Sequence, residues 1–207
     1  MSDNTMKFPV VTTQTLKNQG ANFANINQLI EQDKIVRVKR GFYIHKAALQ
    51  YPHKASFSAF KEALFCLESA AYIYGYLNSE PTKVHIAASK QESRKKYKSK
   101  VLPIVMMVRD EKYYYLGYSQ KVFDGFVIHV TDRERTILDC MRHSKRMDSR
   151  IYGKIIAGYI KDDKKNIDKL VSYAITLRLI KKVEILFEPW LGREIQEALN
   201  HQTRSES

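Results

Sequence analysis

Three short amide side chains precede three cationic ones in the first forty residues. The amides are Asn25, Asn27 and Gln28, and the cations are Arg37, Lys39 and Arg40. Amide groups can hydrogen-bond to adenine edges in the major groove, whereas Arg and Lys bind backbone phosphates or enter the minor groove. The combination predicts a surface that contacts a few bases and the backbone of DNA. The alternatives are solvated polar positions on a helix and a charged edge strand that prevents aggregation.

A helix, a tight turn, a second helix and a β-hairpin are predicted to position these side chains. Gly20 suits the left-handed residue that closes the first helix, and the second helix is predicted over residues 24–32. Residues 35–44 form two β-rich stretches around a basic tip. Because side chains alternate along a strand, Arg37 and Lys39 are expected on the same face. This order of elements is typical of a winged helix-turn-helix.

A second basic run, KQESRKKYKSK, occupies residues 90–100. It is too charged to be buried, so we expect an exposed loop or ribbon. Its Arg94, Lys95 and Lys96 extend the predicted DNA-binding set, and Tyr97 could stack on the bases of an RNA. A solvated loop without a binding role is the alternative.

A third cluster mixes acidic and basic residues, namely Asp132, Arg133, Glu134, Arg135 and Asp139. Thr131 and Glu134 have the spacing of a capping box, and Arg135 and Asp139 could form a weak surface ion pair. A structural role is therefore the default for this cluster. The sequence shows no phosphate-binding glycine loop, metal-ligand set or nucleophile motif, so we predict no catalytic residue, no metal, no cofactor and no enzymatic activity.

The overall charge agrees with a polyanionic partner. The 207 residues include 35 Lys and Arg against 22 Asp and Glu, a formal charge of +13. Nucleic acid is the first candidate, and an anionic membrane surface is the second. The absence of a long apolar run and of a signal-peptide core predicts a cytoplasmic protein without membrane insertion. Cys66 and Cys140 lie in apolar patterns and are predicted to be reduced core thiols.

The predicted fold class is α+β in two domains. Residues 1–52 are predicted to form the winged helix-turn-helix and residues 53–207 an α+β domain with a small sheet and a helical C-terminal half. The boundary lies in a linker predicted over residues 47–56.

Several elements of the second domain follow from composition. A buried helix is predicted over residues 56–77, and a late helix over residues 180–199 is expected to be interrupted at Pro189. Strands are predicted at residues 84–88, 104–108, 113–118 and 126–130.

Four stretches together resemble the AbiEi antitoxin family of type IV toxin–antitoxin systems. They are KIVRVKRGFYI at residues 34–44, CLESAAYIYGYL at 66–77, VHIA at 84–87 and VTDRERTILDCMRH at 130–143. Their order and spacing agree with that family over residues 11–191. The DRERTILDC stretch is the most specific of them, because many regulators carry a winged helix.

The resemblance implies a repressor with a second role. The N-terminal winged helix would bind inverted repeats in the promoter of its own operon, and the second domain would neutralise a nucleotidyltransferase-like toxin, AbiEii, without a stable complex. The cluster from Asp132 to Asp139 becomes a candidate for this antitoxin function. Residues 1–10 leave little room for the helix that usually precedes the motif, so the module is either abbreviated or completed by residues 57–64.

Two rival functions use the same residues. One is an RNA-acting protein, either a tRNA-binding module or a nuclease or transferase relative, that uses residues 90–100 and 132–139. The other is an ordinary operon repressor with no toxin partner.

Overall fold

The computed structural model describes residues 10–18, 20, 22–93 and 95–205. Helices and two small β-sheets occur together, which confirms the mixed α+β class. The chain divides into two compact units. Unit 1 takes its described residues from 1–65, 80–114 and 120–129, and unit 2 takes them from 66–79, 115–119 and 130–207. Within the described ranges, every helix is too short or too polar to cross a membrane.

The N-terminal part of unit 1 contains two short helices and a three-stranded antiparallel sheet. In chain order the elements are β1 (Val10–Thr12), α1 (Thr13–Asn18), α2 (Phe23–Glu31), β2 (Ile35–Lys39) and β3 (Phe42–His45). Strand β3 lies between β1 and β2. One side chain from each of α1, α2, β2 and β3 forms the small apolar core, namely Leu16, Ile26, Ile35 and Tyr43.

Local signals account for these elements. The side chain of Asn22 accepts a hydrogen bond of 2.8 Å from the backbone N–H of Asn25, which satisfies a free donor at the start of α2. Gly41 has a φ of 77°, which a glycine adopts without strain, so the chain can reverse directly between β2 and β3. The order helix, helix, hairpin is the order expected from the sequence.

The rest of unit 1 contains most of a five-stranded sheet. Its strands are β4 (Leu64–Phe65), β5 (Val84–Ser89), β6 (Ile104–Arg109), β7 (Tyr118–Phe123) and β8 (Phe126–Thr131), in the order β6-β5-β4-β8-β7. Strand β5 pairs parallel to β6 and antiparallel to β4, and all its residues are buried. The basic run at residues 90–100 lies in the connection between the parallel strands β5 and β6. Asp124 and Gly125, with φ of 51° and 79°, form the tight turn between β7 and β8.

Helix α3 (Pro52–Ala59) corrects two expectations in this region. Instead of the predicted linker at 47–56, the structure has a 3-10 helix (Lys46–Gln50) followed by α3. The domain boundary predicted after residue 52 therefore falls inside a helix. The first segment of unit 1 continues to residue 65. The continuous buried helix predicted over 56–77 is wrong. An apolar run also suits a buried strand, and here α3 is followed by an exposed turn and by β4.

The strand predicted at residues 113–118 is also wrong. A short helix, α5 (Glu111–Tyr114), occupies its first half, and β7 begins only at Tyr118. The backbone carbonyl of Asp110 accepts a hydrogen bond from the N–H of Tyr113, which turns the chain at the point where the aromatic composition favoured an extended strand.

Unit 2 is helical. It contains α4 (Leu67–Ile73), α6 (Arg133–His143), α7 (Ser149–Ile160), α8 (Ile167–Thr176) and α9 (Ile180–Ser205). Helix α6 packs against α4, α7 and α8, and α8 packs against α9. Helix α6 buries Ile137, Leu138 and Met141, and Asp148 caps the start of α7.

Helix α9 continues through Pro189, where an interruption was expected. Proline removes one backbone donor and leaves the carbonyl four residues earlier, that of Ile185, without its helical partner. Ile185 is 80% exposed, so water can reach this part of the helix and solvate the carbonyl. A break is therefore not required.

Candidate nucleic-acid interface

The three predicted amides lie on the solvent side of α2. Asn25, Asn27 and Gln28 are exposed, while Ile26 is 1% exposed and holds the opposite face of the helix in the core. Side chains that contact base edges must be accessible on one face of a helix that the core fixes on the other. The geometry of α2 meets both conditions.

The hairpin cations do not form the single row that was expected. Arg37 and Arg40 are exposed, but the pairing register of β2 with β3 shifts between Arg37 and Lys39, which interrupts the alternation of side chains. The Lys39 ammonium instead lies 4.2 Å from the ring centroid of Phe42 and 4.8 Å from that of Phe60. Partial burial, followed by the proximity of Lys96, lowers the pKa of Lys39.

The basic run forms the loop that was predicted, but its tyrosine points inward. Lys95 and Lys96 are exposed, and Arg94 lies outside the described residues. Tyr97 is 1% exposed, and its hydroxyl donates a hydrogen bond of 3.1 Å to Oε1 of Glu92. A buried ring cannot stack on bases, so the stacking expected of Tyr97 is wrong; the ring anchors the loop.

Aromatic contacts bring the hairpin and the loop together. The rings of Phe60 and Tyr97 meet edge to face, with centroids 5.9 Å apart. Lys39 lies over the first ring, and Lys96 lies 5.1 Å from the centroid of the second. Two basic segments more than fifty positions apart in sequence thus become neighbours. We refer to the described cations of this region as the basic surface: Arg37, Lys39, Arg40, Lys95 and Lys96.

The excess charge of the chain is concentrated in the unit that carries the basic surface. The residues assigned to unit 1 include 19 Lys and Arg and 9 Asp and Glu, a net charge of +10. The residues assigned to unit 2 include 16 Lys and Arg and 13 Asp and Glu, a net charge of +3. The long-range attraction for a polyanion therefore originates mainly in unit 1.

Glu92 is a part of this region that the sequence argument missed. Its carboxylate oxygen Oε1 forms an ion pair with the ammonium of Lys96 as well as the hydrogen bond from Tyr97. The spacing of four residues between Glu92 and Lys96 was the available signal. The high charge of the run favoured the expectation of an exposed loop.

The acidic and basic cluster of unit 2 is occupied by internal contacts. Asp132, not Thr131, caps α6: its Oδ1 accepts a 2.8 Å hydrogen bond from the N–H of Arg135. Glu134 does not close a capping box. It is 3% exposed and accepts a 2.8 Å hydrogen bond from the N–H of Asn166 at the start of α8, and burial raises the pKa of its carboxyl group.

Arg135 and Asp139 form a buried ion pair, which corrects the surface pair that was expected. The Nε of Arg135 donates to Oδ1 of Asp139 at 3.0 Å, and the two side chains are 3% and 7% exposed. Gly117 covers the aliphatic part of Arg135 so closely that a Cβ atom there would lie 2.3 Å from the Arg135 Cβ. The spacing of the pair was visible in the sequence, but its burial was not.

Arg133 connects α6 to two further segments of unit 2. Its Nε donates to Oδ2 of Asp162 at 2.7 Å, the hydroxyl of Tyr76 donates to the same oxygen at 2.7 Å, and the guanidinium lies 4.7 Å from the ring centroid of Tyr74. Asp162 and Tyr76 had no signal in the sequence.

Asp132 connects α6 to α8 through its second oxygen. Oδ2 accepts a hydrogen bond from the hydroxyl of Tyr173 and lies 3.2 Å from Nζ of Lys169. Burial, followed by the charge of Asp132, raises the pKa of Tyr173 to about 12. With these contacts, the five residues of the cluster can orient α6 and its neighbours. In the part of the chain that the structure describes, no group of three or more His, Cys, Asp or Glu residues is placed to hold a metal ion.

Comparison with known proteins gives a likeness in structure. No family model matches this chain, and no curated protein matches it. The chain is similar to the crystal structure of the Rv2827c protein from Mycobacterium tuberculosis, with a TM-score of 0.56 and 14% sequence identity. The likeness covers 80% of this chain and 66% of that chain. At this identity it shows that the mixed α+β fold recurs, and it carries no function with it.

Proposed function

We propose that this protein is a cytoplasmic DNA-binding regulator, that β1 to β3 with α1 and α2 form a winged helix-turn-helix, and that it represses its own operon. The observation that supports this most strongly is the basic surface, which joins the hairpin to the loop at residues 90–100. Binding occurs without turnover. The amides contact a few bases, while the cations contact phosphates and provide most of the affinity.

The aromatic residues near the basic surface favour a duplex over an unpaired strand. Proteins that bind single strands offer open ring faces on which bases stack. Here Phe60 and Tyr97 are buried at 2% and 1% exposure, and Lys39 covers Phe42. The rings of Phe60 and Tyr97 are thus closed to base stacking, and the cations beside them suit the regular phosphate backbone of double-stranded DNA.

The proposed antitoxin role belongs to unit 2 and rests on the resemblance at residues 130–143. In this proposal unit 2 neutralises a nucleotidyltransferase-like toxin without a stable complex and without catalysis. Asp132, Glu134 and the Arg135–Asp139 pair contribute by holding α6 in place, since their contacts are internal. Expression of the toxin from a neighbouring gene, with and without this chain, tests the role: rescue of growth supports it, and continued toxicity contradicts it.

A footprint tests the regulator itself. The full chain is incubated with the region upstream of its gene at moderate salt, and we expect protection of two inverted half-sites. Excess tRNA should not remove the protection. If tRNA competes at equal mass, the RNA-binding alternative is correct instead.

A further inference from the structure

Lys96 differs from the other cations of the basic surface because a carboxylate is already bound to it. Its ammonium is ion-paired with Oε1 of Glu92, yet its side chain is 45% exposed and that of Glu92 is 20% exposed. Solvent therefore reaches the Lys96 side chain while the pair is intact. A second anion can approach Lys96 without unfolding the loop.

The neighbourhood of this ion pair has an excess of positive charge. Lys39 lies over Phe60, the ring that contacts Tyr97, and within the described residues no carboxylate pairs with Lys39. The Lys39 and Lys96 ammonium groups thus lie near each other, and the Glu92 carboxylate pairs with Lys96. Like charges held close together repel each other, and an added anion relieves that repulsion.

Glu92 itself is incompletely satisfied. While Oε1 has two partners, Oε2 is buried and has no hydrogen-bond partner in the described part of the chain. A buried carboxylate oxygen without a donor is costly, which weakens the hold of Glu92 on this position. Tyr97 would keep the loop in place if Glu92 released Lys96, because its ring also packs against Phe60.

We propose that Lys96 is a phosphate-binding subsite that Glu92 fills in the free protein, and that a backbone phosphate of the bound duplex displaces the Glu92 carboxylate from it. The proposal rests on the proposed DNA-binding function and deepens it. Glu92 acts as an internal competitor: it lowers the affinity for any duplex by withholding one cation from the phosphates. Its removal should strengthen binding, whereas removal of a residue that only supports the fold should weaken it.

The test compares Glu92→Gln with a matched control, Asp124→Asn. Both changes remove one carboxylate that pairs with a lysine in unit 1, since Asp124 pairs with Lys54 at 2.7 Å. Asparagine also tolerates the φ of 51° at position 124. The dissociation constant for the operator duplex is measured at salt concentrations from about 0.05 to 0.4 M. This range includes the interval of about 0.05–0.2 M over which the affinity of such complexes changes by orders of magnitude.

In every variant that retains Lys96, the bound duplex places a phosphate on this ammonium, so the log–log salt slopes should be the same. We expect Glu92→Gln to bind about two- to fivefold more tightly than Asp124→Asn, because the phosphate no longer has to displace a partly exposed carboxylate from Lys96. In a Lys96→Met background the difference between the two variants should disappear, because the freed cation is absent.

The outcomes separate the two proposals. Equal affinities of Glu92→Gln and Asp124→Asn, weaker binding by Glu92→Gln, or a difference in affinity that persists with Lys96→Met would overturn the subsite. Failure of the unmodified chain to bind any duplex would refute the DNA-binding function itself.

Discussion

Replacing Arg135 by methionine should severely destabilise unit 2. Methionine fills much of the volume of the arginine side chain but leaves the charge of Asp139, which is 7% exposed, without its guanidinium partner. Breaking a buried ion pair by removing one partner costs about 3–5 kcal/mol, against a total stability of about 5–15 kcal/mol for a typical domain. With a urea m value of about 2 kcal/mol/M, the unfolding midpoint should fall by about 2 M.

A second pair in the same unit provides the control. Arg193 and Glu197 have the same spacing and a similar distance, 2.9 Å, but their side chains are 88% and 55% exposed. Arg193→Met should leave the unfolding midpoint unchanged within error, because solvent screens an exposed pair.

Urea unfolding followed by circular dichroism and by the fluorescence of Trp190, the single tryptophan, measures the effect in unit 2. The double variant Arg135→Met/Asp139→Leu should be more stable than Arg135→Met alone, since it removes both charges. Ordinary surface substitutions change the free energy of unfolding by about 0.5 kcal/mol or less. A decrease of only this size for Arg135→Met would refute the assignment of Arg135 and Asp139 as a buried ion pair.

Three further predictions concern packing, pH and thiol chemistry. In chemical denaturation, Gly117→Ala should destabilise unit 2 by at least about 2 kcal/mol more than Gly75→Ala. Both glycines have a positive φ, but only at position 117 would an added Cβ clash with Arg135. Equal decreases in the free energy of unfolding would contradict this contact. Burial opposes ionisation of Glu80, but hydrogen bonds from the ring and backbone N–H of His53 lower the pKa of its carboxyl group below 4.5. The ionised Glu80 carboxylate therefore stabilises the folded chain above pH 4.5, and this stabilisation is lost as the pH falls through the lowered pKa. Glu80→Gln should flatten the acid limb of a stability–pH curve, and an unchanged limb would count against the contact. Cys66 and Cys140 are buried thiols outside any disulfide, and burial raises the pKa of Cys140. We therefore expect neither to react with a thiol reagent until the chain is unfolded. Rapid labelling of the native protein would oppose this.

Much of the fold could be predicted because strong local signals agreed with the tertiary structure. The hairpin around Gly41, the turn at Asp124–Gly125 and the cap at Asp148 each depend on the chemistry of one or two residues. The errors occurred where local composition permits several structures. The apolar stretch at 56–77 suits a buried helix or a buried strand equally. Whether a helix continues through Pro189 depends on how far solvent reaches that part of the helix.

The residues of the candidate interface could be named from the sequence, but their arrangement could not. Exposure of Asn25 and Arg40 follows from amphipathic patterning and turn position. The contact of Lys39 with Phe60 and the burial of Tyr97 depend on pairing between distant segments, which one sequence does not encode in any local pattern. The ion pair of Glu92 with Lys96 had a local signal in its spacing.

The salt dependence of duplex binding tests the central claim, that the basic surface of unit 1 contacts phosphates. The comparison uses Arg37→Ala/Arg40→Ala, two exposed positions on the hairpin, and Lys181→Ala/Lys182→Ala, two exposed positions on α9. Loss of two phosphate contacts should flatten the log–log slope by about 1.8 for the hairpin variant and leave it unchanged for the α9 variant. Equal slopes for both variants and the unmodified chain would contradict the claim.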